Sequence, residues 1–199
     1  MGTAICGGSA IGALAPVIKA EAMSIAVAIG VVFLLNALAV FIFPPLGNFF
    51  DLTQEQFGLW AALAIHDTSS VVAASALYGD KALEIATTVK LIRALWIIPV
   101  TLFFSFSLKG KEKGKITIPW FVLGFLLMSL IFTFLAVPEN YKLVVTEIAK
   151  LGFAITLFLI GLSFDLKKLK EVGIRPLALG VGLWVIVSSL SLFLIKNFM

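Results

Sequence analysis

Long apolar runs separated by short charged loops constrain this chain more than any other feature of its sequence. A helix rises about 1.5 Å per residue and the hydrocarbon core of a bilayer is about 30 Å thick, so about 20 apolar residues can cross it. Hydrophobic residues make up 61% of the 199 residues and charged residues 13%, whereas soluble domains average about 45–50% and about 25%. The sequence therefore predicts an all-α, polytopic membrane protein in a lipid bilayer.

The positions of the apolar runs predict about six full transmembrane helices and one partial helix. The partial helix lies within residues 1–20, where glycines interrupt the run. Pro44 and Pro45 are expected to end the first full span, and Pro99 to kink the third. The full spans are predicted at residues 24–43, 57–78, 85–108, 118–137, 146–164 and 176–195, with a tight loop at residues 79–84.

Two loops rich in lysine give the predicted orientation. Residues 109–115 contain four lysines, and residues 165–175 contain three lysines and one arginine. Such loops are usually cytoplasmic, and the two spans between them make the two assignments agree. The sequence thus predicts a multi-pass protein of the inner (plasma) membrane, with both loops in the cytoplasm. The net charge of +4 follows from these loops, so no nucleic-acid partner is expected.

A polar cluster lies at the centre of the predicted span at residues 57–78. His66 and Asp67 are followed by Thr68, Ser69 and Ser70. Ionisable groups at bilayer depth cost about 2.5–3.5 kcal/mol and usually serve a function. Asp67 could hold a proton or cation beside a pH-sensitive His66, or His66 and the hydroxyls could donate to an oxyanion. Alternatively, these groups only bond neighbouring helices and fix the bundle.

The three hydroxyl residues of this cluster also predict a break in the helix, because Ser and Thr favour helix N-termini. A half-helix that starts inside the protein points free N–H groups at the site and attracts anions.

Lys90 and Arg93 are spaced i, i+3 and share a helix face. Lys90 could extend to the membrane interface. Arg93, which lies deeper, could neutralise Asp67 or bind an anion such as sulfate with two hydrogen bonds.

Cys6-Gly7-Gly8-Ser9 is a second interruption of apolar sequence. The two glycines could let backbone line a cavity or could form a helix-packing face. One cysteine excludes an internal disulfide, and one histidine with one cysteine does not make a zinc ligand cluster, so no metal or cofactor is expected. Neither Cys6 nor the serines form a recognisable catalytic triad, and the chain is not expected to be an enzyme.

These segments together resemble the YeiH-like family of proposed sulfate exporters, which is related to bile-acid-type transporters. The resemblance covers nearly the whole chain. It is carried by the segments GTAICGGSAI (2–11), APVIKA (15–20), FPPLG (43–47), QEQFGLWA (54–61), AIHDTSSVVAA (64–74), TTVKLIRALWIIP (87–99), GLSFDL (161–166) and RPL (175–177).

The resemblance implies an inverted-repeat transporter fold in which two broken helices cross. Residues 1–199 would form a single transmembrane domain, with 1–43 as the end of the first repeat and 57–199 as the second repeat. The glycine-rich start would belong to the first broken helix, and residues 146–164 would form the second. Because family members carry several more spans before the Gly-Gly motif, the resemblance also implies that this chain lacks most of the first repeat.

The expected function is secondary transport, by alternating access, of a small inorganic or sulfur-containing anion such as sulfate, coupled to protons or sodium. Asp67 and His66 would couple the ion. The alternative is a partner-dependent membrane subunit without transport of its own, working as a homo-oligomer or with a chain that supplies the N-terminal half. The residues expected to bind substrate are Arg93, Lys90, Ser69, Ser70, Thr68, Ser9, Gly7 and Gly8.

Overall fold

The computed structural model describes residues 5–107 and 173–199, together with individual positions between residues 124 and 158. The chain divides into two compact units, one of residues 1–118 with 165–199 and the other of residues 119–164. In the second unit, the described positions are helical except Pro138. The predicted spans at 118–137 and 146–164, the loop at 109–115 and most of the loop at 165–175 lie outside the described residues.

The described part of the first unit is built from helices, and no strand occurs in it. In chain order, the helices are α1 (Gly8–Leu14), α2 (Ala22–Phe49), α3 (Gln54–Ala64), α4 (Thr68–Tyr78), α5 (Asp80–Ala94), α6 (Ile97–Ser107) and α7 (Ile174–Phe198). Helices α2 and α7, of 28 and 25 residues, are the two described helices that are long and apolar enough to cross a membrane alone. They confirm that the runs at 24–43 and 176–195 form long apolar helices, whereas the count of six spans stays a prediction.

Helix α2 continues through Pro44 and Pro45 to Phe49, so the prediction that these prolines end the helix is wrong. A proline inside a helix removes a backbone hydrogen bond, but neighbouring helices in a membrane protein can compensate for it. Phe43, just before the prolines, is 2% exposed. Its ring centroid lies 4.4 Å from that of Trp60 and 5.7 Å from that of Trp184. Packing on both sides thus holds the helix together where local propensity would end it.

The predicted span at 57–78 is divided between α3 and α4. Helix α3 begins at Gln54, earlier than expected, because Thr53 and Gln56 form a capping box. The Gln56 N–H donates to Thr53 Oγ1 over 3.2 Å, and the Thr53 N–H donates to Gln56 Oε1 over 3.1 Å. This reciprocal pair satisfies two of the free N–H groups at the helix start.

The predicted tight loop at 79–84 is wrong, because α5 begins at Asp80 and only Gly79 separates it from α4. Gly79 has a φ of 152°, a backbone conformation that glycine adopts without steric cost. The predicted span at 85–108 is interrupted at Leu95 and Trp96, between α5 and α6. Pro99 lies in the first turn of α6, where its missing N–H costs no helical hydrogen bond. The interruption therefore lies just before the expected kink.

The core of this unit lies where α3 meets α5 and α7 and where α4 meets α2 and α5. Small residues dominate the contact between α3 and α5. Ala61, Ala64, Ala82 and Ala86 are all 0% exposed, and a Cβ on Gly58 would lie 2.6 Å from the Ala82 carbonyl oxygen. Small side chains let two helix backbones approach closely, as in other membrane helix pairs. This approach brings the side chains of α5 within reach of the end of α3.

Gly47 shows how closely the end of α2 packs. A Cβ at this position would lie 2.5 Å from Phe57 Cδ2 and 2.8 Å from Tyr78 Cε2. We expect Gly47→Ala to lower the free energy of unfolding by about 1–3 kcal/mol, the usual cost of overpacking a core. Thermal unfolding in detergent measures the change. Gly12→Ala is the matched control, since no atom of the described residues outside the neighbouring backbone of α1 lies within 4 Å of its Cβ position. Equal losses for both variants would contradict the prediction.

Candidate functional site

The predicted break in the helix is present between α3 and α4. Helix α3 ends at Ala64 and α4 begins at Thr68. Ile65 and Asp67, on either side of His66, have extended backbone conformations. A break inside a protein exposes the last carbonyl oxygens of one helix and the first N–H groups of the next, and each must find a partner. Charged side chains provide partners at both ends.

Two basic side chains of α5 satisfy the carbonyl oxygens at the end of α3. Lys90 Nζ donates to the Ile65 oxygen over 2.6 Å and lies 3.5 Å from the Ala62 oxygen. Arg93 Nη1 donates to the Ala62 oxygen and, over 3.1 Å, to the Leu63 oxygen. Cations stabilise a helix C-terminus because its carbonyl groups carry partial negative charge. Lys90 is 0% exposed, so the suggestion that it extends to the membrane interface is wrong.

The carboxylate of Asp67 satisfies the start of α4. Asp67 Oδ2 accepts from the Ser69 N–H over 3.1 Å and also from the Ser69 hydroxyl. An acidic N-cap of this kind is favourable both as a hydrogen-bond acceptor and as a charge next to the helix dipole. Thr68 and Ser69 are half-buried and Ser70 is buried. Asp67 therefore occupies the helix terminus that the sequence suggested for an anion.

Asn36 of α2 holds the backbone of the break, and the sequence did not predict it. Its Oδ1 accepts from the His66 N–H and from the Asp67 N–H, each over 3.2 Å. Asn36 is 3% exposed. One signal could have identified it, since Asn36 is the only amide side chain within the apolar run at 24–43. Its Nδ2 has no hydrogen-bond partner within the described part of the chain.

The His66 side chain is also buried without a partner. It is 2% exposed, and in the residues that the structure describes neither Nδ1 nor Nε2 has a hydrogen-bond partner. A neutral imidazole offers one donor and one acceptor. Leaving such a group unsatisfied in a buried position costs about 1–3 kcal/mol. In the part of the chain that the structure describes, the break thus holds a buried imidazole and a buried amide NH₂ group without hydrogen-bond partners.

The glycine-rich segment at the start of the chain packs directly on the break. Gly7 has a φ of 53°, and a Cβ there would lie 3.4 Å from both the carbonyl carbon and the oxygen of His66. Cys6 and Gly7 are buried, Gly8 is half-buried and Ser9 is exposed. The structure therefore brings Gly7 to His66 but leaves Ser9 on the surface of α1. The second broken helix expected at 146–164 lies mostly outside the described residues.

The charges around the break come mainly from three side chains. Lys90, Arg93 and Asp67 lie close enough for Lys90 to interact electrostatically with the other two. Among the described residues, these are two basic side chains and one acidic side chain, and His66 lies close enough to both basic groups to interact with them electrostatically. Among the described residues, no group of three or more His, Cys, Asp or Glu could hold a metal ion. This arrangement is suited to binding a small, polar, negatively charged ligand.

The sequence matches a family described as conserved hypothetical protein 698 over residues 1–180. The chain belongs to this family. It is 50% identical over 197 residues to a UPF0324 membrane protein of Bdellovibrio bacteriovorus and 52% identical over 189 residues to one of Bacteroides thetaiotaomicron. These matches cover 96% and 94% of this chain but 61% and 57% of the two relatives. No solved structure matches. The chain is therefore a member of a membrane protein family and spans about three fifths of the length of these relatives.

Proposed function

We propose that this protein acts in secondary transport of a small inorganic or sulfur-containing anion, such as sulfate, by alternating access in the inner (plasma) membrane, and that it is not an enzyme. The observation that carries the proposal is the break between α3 and α4. Charged side chains hold both of its ends, while His66 and the Asn36 amide stay buried without partners in the described part of the chain. Discontinuous helices of this kind form substrate sites in many transporters.

The positive charge at the break supports an anionic substrate. Lys90 and Arg93 carry the charge, and both donate to carbonyl oxygens at the end of α3, beside the break. Ser69 and Ser70 add hydroxyl groups at the first turn of α4. The resemblance to the YeiH-like proposed sulfate exporters supports sulfate as the first substrate to test. In this proposal the lysine-rich loops at 109–115 and 165–175 face the cytoplasm.

Asp67 provides a route for coupling the anion to a proton or a sodium ion. In the structure its carboxylate accepts from the Ser69 N–H and hydroxyl, so it occupies the positive end of α4. A proton or sodium ion on Asp67 would neutralise the carboxylate and weaken its attraction to this helix terminus. The N–H groups of α4 would then be available to the substrate anion. Anion and cation would therefore enter the site together, with His66 beside them.

Uptake of radiolabelled sulfate into proteoliposomes tests the proposal with two variants, Asp67→Asn and Arg93→Ala. Each variant removes a charge-assisted hydrogen bond worth about 1.5–3 kcal/mol, so we expect uptake to fall by about tenfold or more. Glu84→Gln is the matched control, because Glu84 is an exposed acid whose ion pair with Lys81 lies on the surface of α5.

The two main outcomes lead to different conclusions. If both variants transport sulfate as fast as the parent protein, the proposed site is wrong. If the parent protein itself carries no anion, transport by this chain alone is wrong, and co-purification from membranes then tests whether it is a subunit that needs a partner.

A further inference from the structure

Asn36 uses only one end of its side-chain amide to hold the break. Two backbone N–H groups, from His66 and Asp67, point at one amide atom, which must therefore be the oxygen. This fixes the orientation of the amide and identifies the other end as the NH₂ group. The NH₂ group can donate two hydrogen bonds, and within the residues described it makes none.

The position of this NH₂ group places it beside the other groups of the proposed site. The NH₂ group and the amide oxygen of Asn36 are bonded to the same carbon. That oxygen lies 3.2 Å from the backbone nitrogens of both His66 and Asp67. Asn36 comes from the middle of α2, one of the two described helices long enough to cross the membrane alone. Bulk water does not reach a buried amide donor, and a buried donor without a hydrogen bond lowers the stability of the fold.

We propose that Asn36 is a substrate-binding residue whose Nδ2 donates a hydrogen bond to an oxygen of the transported anion. This inference rests on the proposed transport function. It specifies the ligand as an oxyanion, because the NH₂ group needs a hydrogen-bond acceptor and the proposed substrate is an anion. The Asn36 oxygen would then hold the break, and its nitrogen would hold the substrate. Substrate binding would therefore link α2 to the break between α3 and α4.

Two substitutions separate the donor from the structural bond. Asn36→Asp keeps an oxygen that can accept from the His66 and Asp67 N–H groups but replaces the NH₂ donor. Asn36→Ala adds no charge and removes both functions. Ser75→Ala is the matched control: Ser75 is also 0% exposed with an unpartnered hydroxyl among the described residues, but it lies eight residues along the chain from Asp67, about 12 Å by helical rise.

Initial rates of sulfate uptake and thermal unfolding in detergent are measured for all four proteins. We expect Asn36→Asp to unfold below the parent temperature, because it buries a second carboxylate beside Asp67, and to lose at least about tenfold in uptake through the lost donor and the added negative charge. Asn36→Ala should also lose uptake, whereas Ser75→Ala should keep both properties.

Uptake within twofold of the parent in either Asn36 variant would overturn the inference while leaving the transport function in place. Absence of sulfate uptake by the parent would instead count against the proposed function. If Asn36→Ala does not reach the membrane, uptake within twofold of the parent by Asn36→Asp still overturns the inference.

Discussion

Replacing Lys90 by methionine is expected to reduce sulfate transport by about 10–100-fold. Lys90 is fully buried, and its ammonium group donates to the Ile65 oxygen over 2.6 Å. A hydrogen bond from a charged donor is worth about 1.5–3 kcal/mol, which corresponds to that range of rates. Methionine keeps most of the volume of the side chain but leaves the Ile65 carbonyl without its donor. Because Ile65 directly precedes His66, the loss should displace the imidazole from the site.

Lys81→Met is the matched control for this experiment, since it removes the same charge from the same helix. Lys81 pairs with Glu84 over 3.1 Å, and their side chains are 52% and 68% exposed. Exposed ion pairs contribute only about 0–1 kcal/mol, so we expect transport within about twofold of the parent. Initial rates of sulfate uptake at equal amounts of protein in the membrane give the comparison. Equal rates for Lys90→Met and Lys81→Met would show that the buried ammonium group does not support the site.

The break in the helix could be predicted from the sequence because its cause is local. Asp67 caps α4 by bonding Ser69, two residues further along the chain. Such short-range bonds depend on residue type and spacing, which the sequence shows directly. The charges at the two ends of the break could be identified for the same reason, since ionisable residues are conspicuous in apolar sequence. Their specific partners, the carbonyl oxygens of α3, could not be predicted.

Asn36 could not be assigned a role from the sequence because its contacts are distant along the chain. The hydrogen bonds from Asn36 to His66 and Asp67 join residues 30 and 31 positions apart. Nothing in the local pattern around a single amide in an apolar helix indicates which backbone groups it will meet. The same limit applies to Lys90, whose burial depends on the close approach of α3 and α5 through Ala61, Ala82 and other small residues.

The prolines of α2 illustrate a different failure, in which tertiary packing overrides local propensity. Pro44 and Pro45 predict a helix end, and in an isolated peptide the lost hydrogen bonds would decide the outcome. In the folded chain, Phe43 packs between Trp60 and Trp184. Gly47 packs against α3 and α4 one turn later. Contacts before and after the prolines therefore fix the helix, and these contacts cannot be seen from the sequence of α2 alone.

Gly7→Ala is expected to disrupt the site most strongly, because two separate costs act at this position. Gly7 has a φ of 53° and a ψ of −116°, a backbone conformation that is sparsely populated by residues with a Cβ and costs them about 1–3 kcal/mol. The added Cβ would also lie 2.9 Å from Val32 Cγ1 and 3.4 Å from the carbonyl of His66, and overpacking of this kind costs about 1–3 kcal/mol. Together we expect a loss of about 2–6 kcal/mol in unfolding free energy, measured by thermal unfolding in detergent, and loss of sulfate uptake.

Gly8→Ala, one residue further along, is the matched control. It measures the general effect of replacing a glycine near the start of α1, without the two costs that act at Gly7. Gly8 is the first residue of α1 and has no positive φ. A Cβ there would lie 3.5 Å from Phe33 Cε1, an ordinary van der Waals distance. Alanine also has the higher helix propensity, by about 1 kcal/mol, so Gly8→Ala should keep the stability of the parent protein. If Gly7→Ala unfolds at the same temperature as Gly8→Ala, Gly7 does not have to be a glycine in order to pack against His66.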